Sequence, residues 1–132
     1  MATMTAQQKR DVERRAYDAY LRECPSHQLV GMISDKWVVL TLSALGRGPR
    51  RHSELRRAIP SVSQKMLTQT LRTLERDGFV ERTVTPSVPV RVDYELTSLG
   101  RDFLPLVVAL KAWAEDNIDR VNLARESYDG AV

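Results

Sequence analysis

Residues 52–78 read HSELRRAIPSVSQKMLTQTLRTLERDG, and their pattern indicates the fold. A short helix is predicted at the start of this stretch and must end before Pro60, because a proline ring cannot continue a helix. Ser63 can then cap a second helix over Gln64–Arg76, which Asp77-Gly78 ends. Two helices joined by a tight turn are typical of a helix-turn-helix.

The flanking segments complete a winged helix-turn-helix. Residues 79–85 and 90–96 are rich in Val, Thr, Tyr and Phe and alternate at period two, which predicts a β-hairpin around a four- or five-residue tip. Helical periodicity predicts three helices before residue 46 and one long helix that begins at Thr97 or Ser98. The expected fold class is therefore mainly α with a small β-hairpin wing, flanked by N- and C-terminal dimerisation helices.

Positive charge is concentrated in the middle third of the chain. The net charge is +3, yet residues 47–91 hold ten basic and four acidic residues, whereas residues 92–132 hold four basic and eight acidic ones. A basic segment of this kind suits a polyanion, since Lys and Arg neutralise phosphates and release counterions. We therefore expect double-stranded DNA as the partner; an ordinary solvated surface is the alternative reading of the charge.

The second helix of the motif has one apolar and one polar side. Its core side is predicted at Leu67, Thr70, Leu71 and Leu74, and its outer side is expected to carry amides, a hydroxyl and cations but no carboxylate. Such groups pair with base edges in the major groove, first near the helix start, while more distant cations meet phosphates. The predicted DNA contacts of this helix are Ser63, Gln64, Lys65, Thr68, Gln69, Arg72 and Arg76.

Three further arginines are candidates for contacts with DNA. Arg91 lies near the wing tip and can meet a phosphate or enter the minor groove. Arg50 and Arg51 precede the short helix and are candidates for phosphate contacts. A solvent-exposed arginine without a partner is the alternative for each of them.

The last helix carries an apolar stripe from Leu99 to Val121, longer than one small core needs. A monomer would leave that stripe in water, so we expect a homodimer; packing within one chain is the alternative. The predicted interface residues are Tyr20, Leu106, Leu110 and Trp113. As a single domain, 1–132, the chain then divides into an N-terminal dimerisation helix (1–23), a DNA-binding core (24–96), a C-terminal dimerisation helix (97–126) and a frayed tail (127–132).

Several motifs in this order resemble the HxlR family of regulators, relatives of the MarR family. They are CP at 24–25, GMISDKW at 31–37, GPRR at 48–51, ELR at 54–56, IPSVSQKMLT at 59–68, LRTLERDG at 71–78 and YELTSLG at 94–100. The resemblance covers roughly residues 24–115 and implies a homodimeric transcriptional regulator on a pseudo-palindromic operator. His52 departs from the family, which commonly has an aromatic residue there.

Cys24 is the single cysteine, so no internal disulfide can form. Some relatives carry a redox sensor at this place, which makes Cys24 a candidate sensor; an inert, half-buried thiol is the alternative. Without a second cysteine, oxidation would join Cys24 to the partner chain's copy or to a small thiol.

Other function classes find little support. We identify neither a signal peptide nor a membrane-spanning run, and expect a cytoplasmic protein without membrane contact. The two histidines, His27 and His52, lack metal or catalytic-triad spacing, and no glycine-rich phosphate loop is present. We therefore predict no enzyme, no cofactor and no metal site. A winged helix used only for protein–protein contact is the alternative function, and a small-molecule effector near Met32, Trp37 and Phe103 stays open.

Overall fold

The computed structural model describes residues 3–131 and divides the chain into two compact units between Lys36 and Trp37. The sequence predicts one domain, in which the DNA-binding core begins at residue 24. Within residues 3–131, no helix combines the length and the hydropathy that a bilayer-spanning segment requires. The same residues place no group of three or more His, Cys, Asp or Glu side chains where it could hold a metal ion.

The first unit contains α1 (Ala6–Glu23) and α2 (Pro25–Ile33). Thr5 caps α1, because its hydroxyl accepts from the Gln8 amide at 3.1 Å and the Gln8 side chain accepts from the Thr5 amide at 2.9 Å. Cys24 ends α1 and begins α2, and its amide donates to the carbonyls of α1's last turn.

The second unit is a winged helix-turn-helix, which confirms the predicted fold class. It contains α3 (Lys36–Leu45) apart from its first residue, and then α4 (His52–Ala58), α5 (Gln64–Arg76), β1 (Val80–Thr85), β2 (Arg91–Leu96) and α6 (Ser98–Gly130). The two strands pair antiparallel, from Val80 opposite Leu96 to Thr85 opposite Arg91, around a tip at residues 86–90.

The core of this unit lies where α3, α4 and α5 meet the base of the wing. The apolar side of α5 is buried as predicted, at Leu67, Thr70, Leu71 and Leu74. The other elements contribute side chains that are also almost fully buried: Val38, Thr41, Leu42, Leu45, Leu55, Ile59, Val80, Leu96 and Val107. This burial fixes which side of α5 remains in solvent.

Backbone pairing ties the helix-turn-helix to the wing. Arg50, just before α4, exchanges two backbone hydrogen bonds of 2.9 Å with Tyr94 of β2. At the base of the wing, the Thr97 hydroxyl donates to the Gly78 carbonyl at 2.5 Å and accepts from the Gly100 amide at 3.1 Å. Gly78 has φ +84°, a left-handed conformation that suits glycine at the end of α5.

The last helix is longer than the sequence analysis predicted. It continues to Gly130, so the tail predicted as frayed at 127–132 is helical over residues 127–130. The physical reason is that Ser127, Tyr128 and Asp129 all tolerate helical backbone, and no proline follows Pro105. Val132 lies outside the described residues.

Candidate nucleic-acid interface

The exposed side of α5 forms an open depression, which we call the α5 surface. It has a volume of about 640 Å³ and is lined by Gln64, Lys65, Thr68, Gln69 and Arg72. These are five of the seven DNA-contact candidates predicted around this helix. The buried leucines on the opposite side of α5 hold the five polar side chains outward together. Their chemistry is two amides, one hydroxyl and two cations, with no carboxylate among them.

The start of α5 is capped by Ser63, whose hydroxyl oxygen accepts from the Met66 amide at 3.1 Å. No acidic residue lies in the first turn, so the positive end of the helix dipole is not offset there. The hydroxyl hydrogen of Ser63 is not used by the cap, since the cap occupies an oxygen lone pair. This end of the helix therefore offers donors to an anion.

His52 contacts Thr68, one of the residues that line the α5 surface, but does not line that surface itself. Its Nε2 atom lies 3.0 Å from the Thr68 hydroxyl oxygen, in a partly buried hydrogen bond between the first residue of α4 and the second turn of α5. Partial burial, and then the charge of Arg56, lower the pKa of His52, whereas a backbone hydrogen bond at Gln64 raises it. With its pKa below the ordinary value of 6.5, the ring is neutral at pH 7. Sequence reasoning placed His52 beside the short helix but did not identify this contact, because 16 residues separate the pair.

An acidic residue lies at the far end of the polar side. Glu75, in the last turn of α5, places a carboxylate oxygen 3.6 Å from Nε of Arg82 on β1. These two side chains share a second depression with Thr68, Arg72 and Tyr94. The expectation of a side without carboxylates therefore holds from Gln64 to Arg72 and is wrong at the wing end, where an arginine compensates the acid.

Arg76 is exposed in the last turn of α5 but does not line the α5 surface. It lies four residues beyond Arg72, about one helical turn further along. It therefore lies beside the α5 surface as a flanking cation, and its phosphate contact stays a prediction.

On the wing, Arg91 begins β2 and is paired with an acid. Its Nε lies 3.0 Å from Oδ2 and 3.3 Å from Oδ1 of Asp93. The hydrogen bond to Asp93, and then its negative charge, raise the pKa of Arg91. The candidate wing cation is thus exposed but partly neutralised by a carboxylate two residues away.

The arginines before α4 separate in the structure. Arg51 is exposed, and the Glu54 carboxylate accepts from both its Nε (3.3 Å) and its backbone amide (3.2 Å). Hydrogen bonds from Arg51 hold the pKa of Glu54 below its usual value. Arg50 instead lines a different depression, together with Leu40, Ser43, Ala44, Arg47, Ala58, Ile59, Pro60 and Lys111. The structure does not bring Arg50 to the α5 surface.

The predicted interface residues are exposed in the single chain. Leu106, Leu110 and Trp113 on α6 are 62%, 48% and 58% exposed, and Tyr20 on α1 is 65% exposed. Large apolar side chains at such exposure, grouped on one helix, are typical of a surface that another molecule covers.

Cys24, the candidate redox residue, is a half-buried free thiol at the joint between α1 and α2. Its side chain makes no hydrogen bond to the start of α2. Arg22, the cation that sequence reasoning placed near it, has its Nε directed to the Asp18 carbonyl at 3.3 Å.

Comparison with known proteins gives a consistent result. The model of the HxlR-like helix-turn-helix family matches residues 32–122. The HTH-type transcriptional regulator YtfH of Escherichia coli K12 is 43% identical over 107 residues, which are 81% of this chain and 85% of that protein.

Two solved structures have a similar fold. The transcriptional regulator ytfH from Salmonella typhimurium is 44% identical and superposes with a TM-score of 0.71 over 80% of this chain and 94% of that one. The redox regulator HypR in its reduced form is 39% identical, with a TM-score of 0.71 over 75% of this chain and 98% of that one.

Proposed function

This chain belongs to the HxlR-like helix-turn-helix family, whose relatives described above are transcriptional regulators and not enzymes, and we propose that it binds operator DNA as a homodimer. The observation that carries this proposal is the α5 surface. It presents five polar side chains on the second helix of a helix-turn-helix, the element that enters the major groove in such proteins.

The side chains of this surface divide into two roles. Gln64 and Gln69 offer an acceptor and donors that match the N6 and N7 positions of adenine, and Lys65 matches the O6 and N7 positions of guanine. Thr68 adds a hydroxyl and a methyl group. Arg72 lies further from the helix start, where a cation meets the phosphate backbone.

Cations around this surface supply the contacts that carry no sequence information. We propose phosphate contacts for Arg76 on α5, for the exposed Arg91 on the wing and for the exposed Arg51 before α4, while Ser63 offers its hydroxyl hydrogen at the helix start. Arg50 lies in a separate depression, so its proposed phosphate contact requires a duplex that extends to that depression.

A homodimer gives the operator its symmetry, since two copies of α5 read two half-sites about one helical turn apart. The exposed apolar residues of α6 form the interface that we propose, and Tyr20 of α1, which is also exposed, stays a separate candidate for contact with the partner. We place the protein in the cytoplasm, where its operator lies.

Oxidant is the signal that the comparisons favour, because HypR is described as a redox regulator. In this proposal an oxidant such as diamide takes up two hydrogens from two thiols, and a disulfide joins Cys24 to its copy in the partner chain or to a small thiol. Diamide should weaken DNA binding by the wild type and leave a Cys24→Ser protein unchanged. If both proteins lose DNA equally, Cys24 is an inert thiol.

A salt titration separates a DNA reader from a winged helix used for protein contact. We would measure the affinity for a labelled duplex from the chain's own promoter region by fluorescence anisotropy at several salt concentrations. For a DNA reader, affinity falls steeply with salt, and Arg72→Gln or Arg76→Gln, each at a proposed phosphate contact, reduces the slope by about 1. Arg125→Gln, near the far end of α6, is the matched control and should keep the wild-type slope. Absence of salt-dependent binding would contradict the proposal.

A further inference from the structure

The hydrogen bond between His52 and Thr68 joins a residue of the α5 surface to a side chain outside α5. Thr68 lines that surface, whereas His52 begins α4 and approaches Thr68 from the protein side. The 3.0 Å contact holds the hydroxyl oxygen in one place. A threonine without such a partner divides its time between two side-chain rotamers in a helix. The imidazole therefore selects the rotamer that Thr68 presents to solvent.

The same contact also fixes what the hydroxyl offers. A hydroxyl has one hydrogen to donate and two lone pairs that accept. If the neutral ring accepts at Nε2, the Thr68 hydrogen points inward and only lone pairs and the methyl group face out, which suits the amino group of adenine or cytosine and the thymine methyl. If Nε2 carries the hydrogen, the Thr68 hydroxyl is free to donate outward, which suits guanine O6 or thymine O4. The first tautomer leaves the hydroxyl no hydrogen for a base, whereas the second leaves it that hydrogen and one lone pair, so the two tautomers favour different bases.

We propose that His52 is a positioning residue for operator specificity: through Thr68 it sets the preferred base pair at one position of each half-site. This inference rests on the proposed function, because it needs DNA on the α5 surface. It adds a determinant of sequence preference that lies outside the recognition helix and does not touch a base.

Packing between α4 and α5 does not depend on this hydrogen bond. Leu55 of α4 and Leu67 of α5 are both fully buried, whereas His52 and Thr68 are only half-buried. Variants that remove the hydrogen bond should therefore keep the fold, and a change in base preference can be read separately from a change in stability.

The test is selection from a pool of random duplexes, followed by competition among duplexes that differ at single positions of the selected site. The wild type should prefer one base pair by about 2- to 10-fold at the Thr68 position, since a single hydroxyl makes one hydrogen bond to a base. His52→Phe and Thr68→Val should each reduce that preference, and the double variant should reduce it no further. Preferences at the other positions and the salt slope should stay unchanged. His27→Phe, which changes the only other histidine, should behave as the wild type.

Rescue distinguishes positioning from a merely structural role. His52→Gln, whose terminal amide can reach the Thr68 hydroxyl, should restore discrimination at that position, although which base it favours can change with the amide's orientation. The inference is overturned if His52→Phe keeps the wild-type preference while Thr68→Val loses it. If the wild type selects no sequence at all, that result contradicts the proposed function itself. It is obtained with the wild type alone, before any variant is compared.

Discussion

Arg91 and Asp93 form an ion pair on the wing, with 3.0 Å between Nε and Oδ2. The two side chains lie on one face of β2 because residues two apart in a strand point the same way. In the proposed complex the carboxylate would face the same phosphates as the arginine. We predict that Asp93→Asn strengthens DNA binding. The slope of log affinity against log salt should steepen by up to about 1, the value for one additional phosphate contact. Anisotropy titrations at several salt concentrations measure both effects.

The matched variant is Arg91→Gln, which should weaken binding and flatten the salt dependence. Arg91 is exposed and Asp93 is half-buried, so water still screens the pair in part, and we expect each change to move the thermal midpoint only slightly. An Asp93→Asn protein that binds DNA less tightly than the wild type would show that the wing does not lie near phosphates.

Gly100, in the first turn of α6, packs directly against the Phe79 carbonyl oxygen, and a Cβ there would overlap that oxygen. Backbone atoms cannot move aside as a flexible side chain does, so Gly100→Ala must displace α6 from the base of the wing. We predict a loss of about 1–3 kcal/mol in the free energy of unfolding, measured by denaturant titration. Gly31→Ala is the control, because a Cβ at Gly31 meets nothing within 4 Å. It should stabilise α2 by about 0.5–1 kcal/mol. Equal stability of both variants would refute the close contact.

The elements that the sequence predicted most closely are those with local causes. The bounds of α5 follow from the Ser63 cap, the leucine spacing and Asp77-Gly78, all within 16 residues, and the structure has the same bounds, Gln64–Arg76. The hairpin follows from period-two alternation around two prolines. The family resemblance, confirmed by the comparisons, rested on motifs that are likewise local.

What the sequence did not predict depends on distant contacts. The His52–Thr68 hydrogen bond and the Glu75–Arg82 ion pair join residues of different elements, so no local pattern marks them. The end of α6 differs for another reason: weak helix formers near a terminus predict fraying, yet the backbone of residues 127–130 remains helical. Long-range geometry therefore decides which side chains of other elements contact the residues of α5.

The pKa of His52 predicts how acid affects stability. Burial and Arg56 lower it below the ordinary value of 6.5, against the opposing hydrogen bond at Gln64. As the pH falls below 6.5, the unfolded chain binds a proton at this residue before the folded chain does, so the unfolded state gains. We predict that the stability of the wild type relative to His52→Phe declines from about pH 7 downward and levels off below the folded pKa. Chemical denaturation of both proteins between about pH 8 and pH 5 measures this difference. If the wild type instead gains stability relative to His52→Phe as the pH falls, the pKa of His52 is raised in the folded state.

The α6 residues Leu106, Leu110 and Trp113 follow one another at spacings of four and three, which places them on one side of the helix. In a dimer that buries this side, a carboxylate at its centre would lose its hydration without gaining a partner. We therefore predict that Leu110→Glu is monomeric in sedimentation velocity at micromolar concentration. It should also bind a full operator no better than a half-site. Val108→Glu is the matched control: Val108 is also an exposed apolar residue, but it lies on roughly the opposite side, since two residues turn the helix by about 200°. It should remain a dimer. A dimeric Leu110→Glu protein would place the subunit contact on another surface.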